Sequence, residues 1–338
     1  MKLYCGIDLH ANNSVVSIQD EQENVRYEKR LPNDLGVIVT ELQPFQEDLQ
    51  GCVVESTYNW YWLVDGLIET GFPVHLANTA AIPQYAGIKY TNDDTDARHL
   101  ARLLRLGILP EGYIYPRQDR GLRDQLRRRL LLVRQRTMQN LSLQGMIIRY
   151  TGRHLSGNQI KQLSDDKLIE LLPDKSAALA GRVSLALIQT LDQAVDLLER
   201  DVQKKAGKRS GYQILITIPG IGEVLGLTIL LETGTIERFP DAGHYASYAR
   251  CVKSEKLSNG KYKGQGNRKN GNRYLAWAFM EAAHFATLWN QDIKRYYQRK
   301  LAKSHLMVAK KAVANKLARA CYHMLKEHTK FDVTRAFG

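Results

Sequence analysis

Cysteine is scarce in this chain. Cys5, Cys52, Cys251 and Cys321 stand far apart among 338 residues and form no CxxC pair. That spacing excludes a zinc ribbon and a disulfide framework, and it fits a reducing cytosol. Long apolar runs are missing too: no stretch reaches the roughly 18 uninterrupted apolar residues of a membrane span. The opening MKLYCGIDLH lacks the apolar core of a signal peptide. Acidic membranes attract basic chains, but there is no basic amphipathic terminus and no lipidation motif. No membrane partner is therefore expected, and the expected location is the cytoplasm. Acids are also in short supply, locally. Lys294 to Arg319 contains nine basic residues and no acid, and Arg250 to Arg273 eight with Glu255 alone opposing them. Arg117 to Arg149 contains nine Arg, no Lys, and only Asp119 and Asp124.

The chain is long enough for two or three domains of roughly 100–200 residues each. With 44% apolar and 25% charged residues it can bury large cores and is not globally disordered. Its 48 Lys and Arg against 35 Asp and Glu leave a net charge of +13, which suggests a polyanionic partner. Any one basic cluster could be a solvated helix face. Three in one chain favour a nucleic-acid surface, with Arg127, Arg128, Lys261, Lys263, Arg268 and Lys269 as candidate contacts.

The first part alternates strands and helices. Strands are expected over 2–9, 13–20 and 24–31, the last two joined by a hairpin turn at DEQEN. A helix over 34–48 must bend or end at Pro44. A strand at 51–56, a helix over 59–71 closed by Gly71, and a strand at 73–79 follow. A further helix completes the order of an α/β RNase H-like domain, a mixed sheet with helices on both faces. Residues 118–150 and 179–206 carry apolar residues at spacings of three and four, including Leu122, Leu126, Leu130, Val133, Met138 and Leu141. They read as two long antiparallel helices, a hairpin or coiled coil, joined by a turn-rich connection near 151–159. A mainly α region follows from about residue 210, with a long loop over 253–273 and helical stretches at 274–290 and about 292–327.

Asp8 ends the first strand in GIDLH, and Glu55 ends a later one in CVVEST. Asp93 and Asp96, three apart at a helix start, share one face of its first turn. In an RNase H-like sheet those two strands are neighbours and the helix crosses their ends, so four acids meet. They cannot all ionise without a cation between them. An all-oxygen donor set suits Mg²⁺ or Mn²⁺. Two such ions about 3.5–4 Å apart could clamp the attacking and leaving oxygens of a phosphodiester. Singly, Asp96 could be a helix cap and Asp8 a strand-turn residue. Asp94 should face elsewhere and is left out.

Two further stretches stand out. In 217-TIPGIGEVLGLTIL-230, Gly220 and Gly222 suggest the hairpin of a helix-hairpin-helix module, whose backbone N–H groups approach a phosphate. The alternative is a tight turn between core helices. Ser258, in 253-KSEKLSNGKYKGQGNRKNGNRYL-275, sits among cations that could hold a phosphodiester during attack. The alternative is a simple turn former.

Together, GID, VES, the D-x-x-D-A-R of Asp93 to Arg98, IPGIG, and a serine loop ahead of G-N-R-Y-L resemble one family. It is the DEDD-type insertion-sequence transposases (the "IS one-ten" group), relatives of the Piv-type DNA invertases, and the resemblance runs over nearly the whole chain. It implies a RuvC-like domain over 1–116, whose last long helix extends toward 150. It implies a coiled-coil hairpin over 117–207 that mediates homo-oligomerisation, and a C-terminal transposase domain over 208–338. Asp8, Glu55, Asp93 and Asp96 would bind Mg²⁺, and Ser258 would form a covalent link to DNA. The loop reads S-N-G-K where many members have S-G-G-K, which leaves Ser254 as fallback. Some members use a structured guide RNA, the bridge RNA, to pair with donor and target DNA. The acids of one protomer would then act with the serine of another. Two other readings stay open: a RuvC-like metal-dependent junction nuclease in which Ser258 is structural, and a non-catalytic nucleic-acid-binding protein.

Overall fold

A computed structural model describes residues 1–82, 93–253, 256–264 and 270–338, with backbone alone at 93–94, 256–258 and 262. The chain divides into two compact units, Met1–Ile114 and Tyr115–Gly338.

The first unit is built on β1 (Leu3–Leu9), β2 (Asn13–Asp20), β3 (Val25–Pro32), β4 (Leu49–Glu55) and β5 (Val74–Ala77). Among the described residues they form one five-stranded sheet in the order β3-β2-β1-β4-β5. The β1–β2 and β2–β3 pairs are antiparallel, and β1–β4 and β4–β5 are parallel. That mixed order is consistent with an RNase H-like domain. Helices α1 (Leu35–Leu42) and α2 (Tyr61–Glu69) bury Ile38, Leu42, Leu63 and Leu67 with Cys5, Ile7 and Val54 in one core. Asp34 caps α1 by accepting from the Val37 N–H at 3.0 Å. Pro44 falls in the 3₁₀ turn Gln43–Phe45 that ends α1. Helix α3 (Asp93–Arg105) covers the other face, where Val53 packs with Leu100 and Leu103.

The second unit opens with α4 (Arg117–Thr151), which stops at Gly152 in the left-handed region, φ 67°. The connection expected to be mere turns holds two short helices, α5 (Gly157–Lys161) and α6 (Asp165–Leu171). Ser156 and Gln159 form a capping box at α5. Then α7 (Lys175–Ala206), capped by Asp174, runs back along α4. Gln125–Asp201 at 2.8 Å, Arg129–Glu199 at 2.6 Å and the Arg136–Asp192 pair fix the two helices antiparallel. Leu122, Leu126 and Leu130 are buried, whereas Met138 and Leu141 are 69% and 62% exposed, as are Leu179 and Val183 at 63% and 55%. The outer half of the hairpin thus presents an apolar face to solvent.

The remaining helices are α8 (Ser210–Leu215), α9 (Glu223–Thr233), α10 (Ala242–Tyr248), α11 (Arg273–Trp289), α12 (Gln291–Leu301), α13 (Leu306–Glu327) and α14 (Val333–Phe337). Alanines at 278, 282, 283 and 286 of α11 and at 314 and 318 of α13 are fully buried, which lets these helices pack closely. The stretch expected as one helix over 292–327 is two. His305 is extended, and its ring nitrogen accepts from the Met307 N–H at 3.3 Å, restarting the helix as α13. Strands β6 (Lys256–Ser258) and β7 (Lys261–Gly264) form an antiparallel hairpin inside the expected loop.

Candidate active site

The acidic site is set by where β1 and β4 end. Their parallel register places Ile7 beside Val54. Asp8 and Glu55, one residue further on each strand, therefore leave the sheet side by side. Alternation turns both toward the face that α3 covers. Helix α3 comes close because residue 6 is glycine. A Cβ there would lie 2.0 Å from the Ala97 carbonyl oxygen and 2.8 Å from the Ala101 nitrogen. Asp96, next to Ala97, is thereby carried to the strand ends.

Charge pairs fix the same helix along its length. Arg98 donates two bonds of 2.6 Å to Glu28 of β3. Arg102 lies 3.3 Å from Glu23, which Arg105 also pairs. Arg98 holds the Glu28 carboxyl below its ordinary range.

Asp8 is buried, 3% exposed. Glu55 has its carboxyl pushed up to about 8, first by burial, then by its hydrogen bond to Asp8, then by the charges of Asp8 and Asp96. Three of the four expected acids therefore sense one another. The Asp93 backbone opens α3, but its side chain and that of Asp94 lie outside the described residues. Among the described residues no three His, Cys, Asp or Glu side chains stand as a metal cage. Glu55 and Asp8 instead lie against each other, and this contact with burial opposes ionisation of Glu55. A divalent cation fits this donor set chemically, because it would offset the crowded carboxylate charge that now opposes ionisation of Glu55.

Sequence reading missed the supports of this site. His10 sets Nε2 3.2 Å from Asp8 Oδ2. The His10 carbonyl accepts from Asn33 Nδ2 at 2.9 Å and Asn59 Nδ2 at 3.0 Å, which fixes the exit of β1. The only local signal is Asn and His just after the strand ends.

The S-N-G-K stretch is a two-residue β-turn. Asn259 and Gly260 both have positive φ, 48° and 72°, and Ser258 pairs in register with Lys261. Asn-Gly is the pair that such a turn demands. The Ser258 side chain lies outside the described residues, as do Ser254, Arg268 and Lys269. Lys261 and Lys263 are exposed.

The ends of this loop are tied together. Arg250 donates to the carbonyls of Asn270 at 2.8 Å and Gly271 at 3.1 Å. The Asn272 N–H donates to the Tyr248 carbonyl at 2.6 Å. Asn272 also caps α11, and its Nδ2 donates to Glu232 Oε2 at 2.7 Å.

Glu232 changes the reading of one predicted contact. It is 1% exposed and receives Arg127 at 2.6 and 2.9 Å and Arg123 at 3.0 Å. Burial alone would raise its carboxyl, but Arg127, Arg123 and Asn272 hold it below the ordinary range. Arg127, expected at a nucleic-acid surface, is thus committed to an internal ion pair and also lies over the Tyr274 ring. Its neighbour Arg128 is exposed.

The IPGIG stretch forms the turn between α8 and α9. Gly220, at φ 91°, is pressed against α11, where a Cβ would meet the Ala282 oxygen and Ala286 nitrogen at 2.5 Å. Its glycine requirement is explained by packing within the bundle. Gly222 precedes α9 with open space around it.

Comparison with known proteins gives first the class. Residues 5–151 match a DEDD-type transposase model, the segment that contains Asp8, Glu55, Asp93 and Asp96. Residues 212–298 match the model described as Transposase IS116/IS110/IS902 family. The two matches together cover more than half of the chain, and it belongs to this family of insertion-sequence transposases. Among relatives, "Mini-circle putative transposase for IS117" of Streptomyces coelicolor is 30% identical over 47% of this chain and 39% of its own length. "Insertion element IS110 uncharacterized 43.6 kDa protein" of the same species is 26% identical over 35% of this chain and 30% of its own length. "Insertion element IS116 uncharacterized 44.8 kDa protein" of Streptomyces clavuligerus is 26% identical over 32% and 28%. The matched regions span well under half the length of these curated relatives.

Proposed function

We propose that the chain is a DNA transposase and recombinase that cleaves and rejoins DNA to move an insertion element. The observation that carries this reading is that Asp8 and Glu55, on neighbouring strand ends, meet Asp96 of α3 in a chain of this family. Asp8, Glu55, Asp93 and Asp96 hold Mg²⁺ or Mn²⁺. When bound, the cation supplies charge stabilisation to the scissile phosphate and activates its attacker. Asp8 and Glu55 orient the site from the rigid strand ends, and α3 brings the remaining acids. Ser258, at the tip of a cationic hairpin, is the nucleophile. Its oxygen bonds to the scissile phosphorus as the hydroxyl proton passes to solvent. The ester bond to the departing strand breaks to leave a free hydroxyl end, with Lys261 and Lys263 offsetting phosphate charge.

The working divisions are a RuvC-like domain over 1–116, a coiled-coil hairpin over 117–207 and a transposase domain over 208–338. The exposed Met138, Leu141, Leu179 and Val183 support homo-oligomerisation through that hairpin. The partners are the element ends and target DNA, and a structured guide RNA that pairs with both. The setting is the cytoplasm. No helix among the described residues is long and apolar enough to cross a membrane.

The test is a suicide DNA substrate. The native chain should give a covalent protein–DNA adduct that Ser258→Ala abolishes and that metal chelation prevents. An adduct that survives Ser258→Ala removes the serine from this role. Metal-dependent cleavage without any adduct would favour a junction nuclease.

A further inference from the structure

We propose that the cleft between α13 and the segment 329–336 binds a backbone phosphate of a nucleic-acid strand. This rests on reading the chain as nucleic-acid-binding, and on neither the acid site nor Ser258. The cleft has a volume of about 410 Å³. Lys316, Arg319 and His323 line one wall, at spacings of three and four that put them on one face of α13. Lys330, Asp332 and Arg335 line the other.

The nearby acids are already engaged. Asp332 Oδ1 accepts from the Thr334 N–H at 2.8 Å and the Arg335 N–H at 3.2 Å, capping α14. Glu327 holds Arg335 through two bonds of 2.7 and 2.9 Å and lies 3.4 Å from His323. Among the described residues neither Lys316, Arg319 nor Lys330 forms an ion pair with a carboxylate. Lys316, Arg319, Lys330 and Arg335 thus outnumber Asp332, the one carboxylate in the lining, which is turned to cap α14, and bringing in an anion relieves the excess positive charge. Across α14, a second cleft is lined by Arg295 and Arg299, but Asp292 holds Arg295 there at 2.8 Å. The first cleft is therefore the stronger anion site. It also closes the acid-free stretch from Lys294 to Arg319, whose charge the acid site and the serine hairpin do not use.

The experiment measures binding of the full chain to a short DNA duplex and to an RNA strand over a range of salt. Lys316→Gln, Arg319→Gln and Lys330→Gln are compared with the native chain and with Arg295→Gln. Each of the three should weaken both strands without sequence preference. Each should also lower the slope of log affinity against log salt by part of one, and the triple variant by about one in all, the share of a single phosphate. Arg295→Gln should leave the slope as it is. Thermal melts check that these surface variants fold. Unchanged slopes in all three, with native binding intact, overturn this site alone. A native chain that binds neither strand overturns it together with the nucleic-acid reading.

Discussion

Glu55 shows at the residue scale how the site is tuned. Its carboxyl sits at about 8 because burial, the bond to Asp8 and the charge of Asp96 all oppose ionisation. The folded value is above the unfolded one, so its contribution to stability is fully present below about pH 4.3 and is lost as pH rises toward 8. Gln mimics the protonated acid and escapes that loss. Glu55→Gln should therefore match the metal-free native protein near pH 4. Its advantage should then grow by at most about 1.4 kcal/mol per pH unit and level off above pH 8. Chemical denaturation across pH reads this directly, and an advantage that does not rise with pH contradicts the assignment. Asp8 and Glu55 were legible in the sequence because each closes a short apolar run, where a carboxylate needs a reason to be. Arg127 was not legible. Its partner Glu232 lies 105 residues away, and only the fold brings them together.

At the scale of elements, the site depends on how closely α3 lies on β1. Gly6 permits that approach, and Arg98, Arg102 and Arg105 pin the helix to the β2–β3 side. In Gly6→Ala the new methyl meets helix backbone, which cannot turn aside, so α3 must shift. The expected cost is about 1–3 kcal/mol of stability. Divalent cation affinity should fall as well, since Asp93 and Asp96 move with the helix. Equilibrium unfolding and Mn²⁺ titration of the same variant measure both. Unchanged affinity in a destabilised variant would separate α3 from the site. Strand positions were legible from apolar runs and turn residues, and β1 to β5 fall close to their expected bounds. The serine hairpin was hidden because its strands are three and four residues long and polar. Its Asn-Gly turn was the one local signal. In IPGIG, glycine at 220 was legible as a tight approach. The sequence did not reveal that the approaching group is α11 of the same bundle.

At the scale of the whole molecule, a net charge of +13 coexists with a cluster of acids that repel one another. The positive charge suits a polyanion, and the acids suit a cation at the point of reaction. Family membership came from the order of several loose motifs along the chain, and two matched segments bear it out. What the order of motifs could not carry was side-chain commitment, such as which arginines stay at the surface.

The most direct test of the central claim, that Asp8, Glu55 and Asp96 form one cation site, is calorimetric Mn²⁺ titration in buffers of different ionisation enthalpy. With Glu55 near 8, about 0.9 of a proton should be held there at pH 7 and released as the cation binds. The release should shrink above pH 8, and Asp8→Asn should abolish binding. Binding without proton release, or undiminished in Asp8→Asn, would contradict the account.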